Sequence, residues 1–186
     1  MAVTRPLFAC VVLTLALGIQ AKNCSENFTS VGNKCYYVSL KKENWYVADR
    51  TCRKLGGYLA VFDNEKDKTL TTEYLKSLGL PFADGWRHSV WIGINCLGNR
   101  RNFHLSKTGD PPAYLPWVRH QPDNYSPEED CVAFADFNQS FGYHDIECDK
   151  QFPFVCEAPG TDDYLCLVKD SLVEAALYLL RNRSTI

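Results

Sequence analysis

The chain has 186 residues, a formal net charge of −2 and 13% aromatic residues. That length suits one compact domain with a short appendage, and the aromatics suffice for a real core. The near-neutral balance argues against a nucleic-acid partner, because phosphate binding needs clustered Lys and Arg.

Residues 1–21 read as a secretory signal peptide. Arg5 supplies a positive n-region, Leu7 to Ile19 an apolar run, and Gly18 and Ala21 small residues near a cleavage point. The run is shorter than the ~20 residues that span a bilayer. The expectation is therefore a secreted, extracellular chain with no membrane span. Cys24 to Ser39 suggests a hairpin turning at Gly32-Asn33. A helix is predicted from about Asn44 to Leu55, with Trp45, Ala48, Cys52 and Leu55 on one face and Gly56-Gly57 as its stop. Tyr58 to Phe62 reads as a strand. A second helix, Glu65 to Leu78, should turn Leu70, Tyr74, Leu75 and Leu78 inward. Ser89 to Ile94 is an apolar strand. Asn95 to Glu129 is then rich in Gly, Pro, Asn and Asp, and so long an irregular stretch is more often functional than accidental. Strands resume at Cys131 to Phe137 and Phe152 to Cys156. After Pro159-Gly160, Leu165, Val168, Leu172, Ala175 and Leu179 mark a helical tail. It either packs back on the domain or forms a homodimer contact.

Eight cysteines come after the signal: Cys24, Cys35, Cys52, Cys96, Cys131, Cys148, Cys156 and Cys166. An even number in an exported chain points to disulfides. Zinc is the alternative, but no C-x-x-C pair occurs. Spacing alone leaves about 105 pairings open. Export makes Asn23, Asn27, Asn138 and Asn182 candidate glycosylation sites. Pro127 disfavours the further sequon at Asn124.

The chemistry concentrates where the long irregular stretch ends. Gln121-Pro122-Asp123-Asn124 is followed by Glu128, Glu129 and Asp130, and later by His144-Asp145. Hard divalent cations take carboxylate, amide and backbone oxygens, and Gln121, Asp123, Glu129 and Asp145 could supply them. On composition alone, a solvated acidic loop is the more common explanation. A catalytic reading fares worse. There is no nucleophile elbow and no H-E-x-x-H. Asp123, Glu129 and Asp145 form a group better suited to a cation than to the acid–base pair of a glycosidase. His88, His104 and His120 have no motif around them.

The ordered set Cys35-Tyr36-Tyr37, Trp45 and Ala48 before Cys52, Gly57 to Ala60, Trp91-Ile92-Gly93-Ile94, Trp117, Gln121-Pro122-Asp123, Glu129-Asp130-Cys131 and Phe154-Val155-Cys156-Glu157 resembles the C-type lectin family. The likeness covers Cys24 to Ala158 and is close to insect galactose-specific members. It implies an α+β fold: two helices flanking small antiparallel sheets, with a long ligand-binding loop braced by disulfides. The domain would occupy residues 22–158 and the tail 159–186. The implied bridges are Cys24–Cys35, Cys52–Cys156 and Cys131–Cys148. Cys96 and Cys166 have no family partner; they bridge each other, the preferred reading, or link two chains.

The resemblance also implies a non-enzymatic, calcium-dependent lectin for galactose-terminated glycans on glycoproteins or microbial surfaces. One Ca²⁺ would be held by Gln121, Asp123, Glu129 and Asp145, with His144 beside it. The bond before Pro122 would be cis. The sugar would meet Gln121, Asp123, Tyr125, Glu129, His144 and Asp145. Gln-Pro-Asp is the family's galactose order, because exchanging amide and acid exchanges donors and acceptors around the 3- and 4-hydroxyls. Tyr125 stands where galactose binders place a stacking ring. Three features depart from the family. Tyr143-His144-Asp145 replaces Trp-Asn-Asp, and imidazole is a poor ligand for a hard cation. Cys96 and Arg100 replace acidic ligands of an auxiliary site, so a single calcium is expected. A glycine-rich segment is missing between Tyr125 and Glu129. His144 protonation near pH ~6.5 would then weaken binding in acid. The alternative reading is a lectin-like domain with impaired calcium binding that recognises a protein.

Overall fold

The structure, a computed structural model, describes residues 24–159 apart from 84 and 100. The expected signal peptide, the tail, Asn23, Asn182, Arg100 and Cys166 lie outside the described residues. The strands are β1 (Thr29–Val31), β2 (Lys34–Glu43), β3 (Tyr58–Leu59), β4 (Val90–Asn95), β5 (His104–Leu105), β6 (Cys131–Phe137), β7 (Ser140–Ile146) and β8 (Phe152–Ala158). Helix α1 (Trp45–Lys54) and helix α2 (Glu65–Ser77) separate the early strands, and a 3₁₀ turn covers Gly85–His88.

The strands join in one hydrogen-bonded sheet, ordered β1-β2-β8-β4-β6-β7, with β3 on β8 and β5 on β4. Every pairing is antiparallel except β4 with β8, which meet in parallel at Trp91 and Phe154. Two apolar clusters fill the interior. One gathers Trp45, Trp91, Phe152 and Phe154 around the Cys52–Cys156 bridge. The other gathers Tyr36, Phe62, Phe134 and Tyr143. Each buried indole N–H has a carbonyl, Trp45 to Ile92 O at 2.9 Å and Trp91 to Glu43 O at 2.8 Å. Burial therefore leaves no orphaned donor there. The bridges Cys24–Cys35 and Cys131–Cys148 are also formed.

Helix α1 follows the predicted periodicity. Asn44 caps it, accepting from Val47 N at 2.9 Å, and Trp45, Ala48 and Cys52 face inward. Helix α2 follows expectation only in part. Asn64 caps it, Leu75 is buried and Tyr74 packs against the core, but Asp67, Thr71 and Thr72 also turn inward, whereas Leu78 is exposed. The polar face turns in because it has partners inside. Tyr36 Oη donates to Asp67 at 2.9 Å, and Lys34 Nζ pairs with Asp67 at 2.8 Å.

Strand β7 is an element the sequence pattern does not announce. Asn138 and Gln139 both take positive φ, 53° and 66°, between the paired Phe137 and Ser140. Two such residues make the tight reversal that closes a hairpin. β7 then serves as the wall against which the long loop is fixed. Tyr143 N donates to Pro116 O at 2.7 Å, Val118 N to Tyr143 O at 3.0 Å, and Gln121 N to Val118 O at 3.0 Å. A Cβ at Gly142 would lie 2.4 Å from Pro116 O, so glycine permits this close approach.

Candidate functional site

The β6–β7 hairpin places the acids. Its register sets Val132 opposite Asp145 and Cys131 opposite Ile146, and the Cys131–Cys148 bridge ties the two ends together. Glu129 enters just before β6, and Asp123 comes from the loop fastened to β7. Oxygens of Asp123, Glu129 and Asp145 all lie within 4.8 Å of one another. Two oxygens on opposite sides of one calcium, each bonded at 2.3–2.6 Å, lie about 5 Å apart, so the group has the right span.

Hydrogen bonds hold these side chains in place. Asp145, almost wholly buried, accepts from Asp123 N at 3.1 Å and Asn124 N at 3.0 Å. Its own N–H donates to Gln121 Oε1 at 3.2 Å, and Asp123 Oδ1 accepts from Tyr125 N at 3.3 Å. The Gln121–Pro122 bond is cis. Glu129 Oε2 is buried and has no hydrogen-bond partner among the described residues. A buried carboxylate oxygen without a donor is costly, and a hard cation is the partner such an oxygen suits. Gln121, Asp123, Glu129 and Asp145 together offer oxygen donors only, which fits calcium.

Residues 41–158 match the family described as Lectin C-type domain. The chain belongs to the C-type lectin family. It is 32% identical over 127 residues to "C-type lectin 37Db" of Drosophila melanogaster, covering 68% of this chain and 79% of that one. A "C-type lectin galactose-binding isoform" of Pseudechis porphyriacus is 27% identical over 151 residues, 78% of this chain and 92% of that one. Among solved structures, the mouse scavenger receptor C-type lectin carbohydrate-recognition domain superposes with a TM-score of 0.61 at 25% identity, covering 74% of this chain and 97% of that one. Among the described residues, no helix is long and apolar enough to cross a membrane.

Within this C-type lectin domain the site residues separate into two groups. Gln121, Asp123, Glu129 and Asp145 come together, and Tyr125 stands beside them, 92% exposed. His144 also borders the cavity but is turned to the protein. It is buried, with Nε2 2.7 Å from Ser89 Oγ and Nδ1 3.1 Å from Asp145 O. Both ring nitrogens thus face protein partners, which sets His144 apart from the residues expected to meet the sugar. Burial also pushes its pKa down to about 4, outweighing the opposite pull of Asp145. The expected imidazole titration near pH 6.5 therefore does not arise. The neighbouring Cys96 is buried and forms no disulfide among the described residues; its thiol donates to Asp130 Oδ1 at 3.4 Å. The glycosylation candidates Asn27 and Asn138 are exposed.

Glu129 is the residue through which pH would act on a cation bound here. Burial, and then Asp145, push its pKa up to about 7. A metal ligand must be deprotonated, so cation binding has to expel the proton that Glu129 holds below that pH. Calcium affinity is expected to fall by up to about tenfold per pH unit below pH 7, with protons released on binding. Calorimetry in two buffers of different ionisation enthalpy measures that release. Identical heats in both buffers at pH 6.5 contradict the assignment.

Sequence reasoning missed Arg101. Its Nη2 lies 2.6 Å from Asp145 Oδ2, and its Nη1 donates to Asn124 Oδ1 at 3.1 Å and Glu129 O at 3.2 Å. The guanidinium is a resident positive charge beside the acids. A divalent ion must displace it or share Asp145 with it. Removing one competing charge should tighten calcium binding in Arg101→Gln by about three- to tenfold, given the modest worth of partly exposed ion pairs. Weaker calcium binding in that variant would show that Arg101 supports the site rather than competes with it. No sequence signal marks this residue, because the contact depends on how the loop folds back.

Proposed function

We propose that this chain is a secreted, calcium-dependent lectin that recognises galactose-type sugars on glycoproteins or microbial surfaces. The observation that carries the reading is the convergence of Asp123, Glu129 and Asp145 around a buried Glu129 oxygen with no hydrogen-bond partner among the described residues. Gln121, Asp123, Glu129 and Asp145 would hold the ion. When bound, calcium supplies coordination to two neighbouring hydroxyls of a hexose. The chain's own residues then decide which hexose fits. The Gln121 amide and the Asp123 carboxylate place donor and acceptor in the galactose order, and the exposed Tyr125 ring offers a platform for the sugar's apolar face. Export would make Asn27 and Asn138 available for glycosylation. Weak single-site affinity would be raised by multivalency, through a homodimer of the tail or another pairing of chains.

A second reading has one specific observation in its favour. The Arg101–Asp145 ion pair partly neutralises the acids, as expected of a domain that has given up calcium and binds a protein surface. Chromatography on galactose-agarose separates the two. The lectin reading expects retention in calcium, release by EDTA, and little displacement by mannose. Flow-through in calcium would refute it, and displacement by mannose at galactose-like concentrations would refute the galactose preference.

A further inference from the structure

The acids occupy only part of a cavity of about 440 Å³. That volume lies within the ~300–1,000 Å³ of sites that enclose drug-sized ligands, and a single hexose is small for it. Trp86 lines the same cavity from the 3₁₀ turn, a segment far from the acidic loop in sequence. It is the one exposed tryptophan of the four, at 41%, against 5% for Trp45 and 0% for Trp91. An indole buries a large apolar area when covered, so leaving one in the wall of a polar cavity forgoes stability that the other tryptophans supply.

The main chain that carries the indole is tied to the site. Ser89 Oγ lies 2.7 Å from both Trp86 O and His144 Nε2. His144 precedes Asp145 in β7, so the platform and the acids are anchored to the same strand. Phe137 packs against His144, with ring centroids 5.3 Å apart, and lines the cavity too. The Arg87 guanidinium sits over one face of the Trp86 ring, 4.7 Å from its centroid. Lys150, loosely paired with Glu147 at 3.6 Å, adds hydrogen-bonding groups to the same lining. An exposed aromatic face with polar groups near it suits a pyranose ring, which has an apolar face and hydroxyl edges.

We infer that the cavity is an extended glycan site, in which Trp86 stacks on the second ring of a galactose-terminated disaccharide whose first ring is held at the acids. This rests on the proposed galactose specificity. It makes Trp86 a specificity-determining residue for the ring joined to the terminal sugar.

The test uses the secreted protein in saturating calcium, with galactose and lactose as probes, and the variants Trp86→Ala and Trp86→Phe. Calorimetry should show lactose bound roughly three- to tenfold more tightly than galactose, as one aromatic contact supplies. Trp86→Ala should erase that advantage and leave galactose itself within about twofold, and Trp86→Phe should keep part of it. Lactose, but not galactose, should shield tryptophan fluorescence of the parent from iodide quenching. Equal affinity of the parent for both sugars, or a lactose advantage that survives in Trp86→Ala, overturns the inference. A parent that binds neither sugar removes the galactose specificity and this inference with it. A parent that binds galactose without shielding by lactose removes the inference alone.

Discussion

Asp145→Asn is expected to weaken calcium binding by about 100-fold or more. Outer-shell partners of metal ligands already contribute about 10–100-fold, and Asp145 stands closer than that. It offers an oxygen to the cation group while accepting from Asp123 N and Asn124 N. The substitution preserves volume but removes a full charge. It also turns one of those two oxygens into an NH₂ that faces a backbone N–H, setting donor against donor. The Arg101 guanidinium, 2.6 Å from Asp145 Oδ2, loses its counter-charge at the same time. Both losses disfavour a cation. The hairpin itself should persist, since β6 and β7 remain paired through seven register positions and the Cys131–Cys148 bridge. Calcium titration of the variant, with near-UV circular dichroism as a check on folding, measures the effect. A folded variant with affinity within about threefold of the parent would show that Asp145 is not a ligand.

Lys34→Met is expected to cost about 3–5 kcal/mol of unfolding free energy, the range for removing one partner from a buried charge group. Lys34 Nζ reaches Asp67 at 2.8 Å, Asp63 at 3.0 Å, Glu157 at 3.3 Å and Val61 O at 2.6 Å. The Asp67 and Glu157 side chains are only 8% and 9% exposed. Burial alone would lower the Lys34 pKa, but Glu157, Asp67 and Asp63 together raise it above its ordinary value. The charged form is therefore the one the fold selects. Methionine fills similar space and leaves Asp67 and Glu157 without their shared cation; Lys107, 2.6 Å from Glu157, compensates only there. Denaturant unfolding of the calcium-free domain gives the value, and a loss under about 1 kcal/mol would place Lys34 with ordinary surface pairs. The raised pKa fixes the sign in alkali: this contribution is whole below the unfolded pKa of about 10.4 and fades as pH rises through the higher folded value.

Local chemistry makes much of this molecule legible. Helix α1 can be read because its apolar residues recur at helical spacing and Asn44 caps it. The proposed ligand set can be read because Gln121-Pro122-Asp123 and Glu129 lie close together in sequence, where a motif can hold them. Helix α2 is legible in its position along the chain but not in its rotation. Its inward face mixes Leu75 with Asp67, Thr71 and Thr72, and nothing local says that Asp67 will meet Lys34 and Tyr36 across the fold. Strand β7 escapes because Gly142 and the polar residues Ser140, His144 and Asp145 obscure its alternation. Three of these have a long-range reason: Gly142 admits Pro116 O, His144 meets Ser89, and Asp145 organises the loop. Arg101 and Trp86 escape for the same reason, since both reach the site from segments whose approach only the folded chain defines.

Calorimetric titration of Ca²⁺ into the metal-free protein at pH 7.5 tests the central claim most directly. The account predicts a single saturating equivalent with measurable heat, at an affinity in the ~10⁻⁴–10⁻³ M range of extracellular calcium modules. No binding heat up to tens of millimolar Ca²⁺, or saturation that persists when Asp123, Glu129 and Asp145 are all changed to their amides, would contradict it.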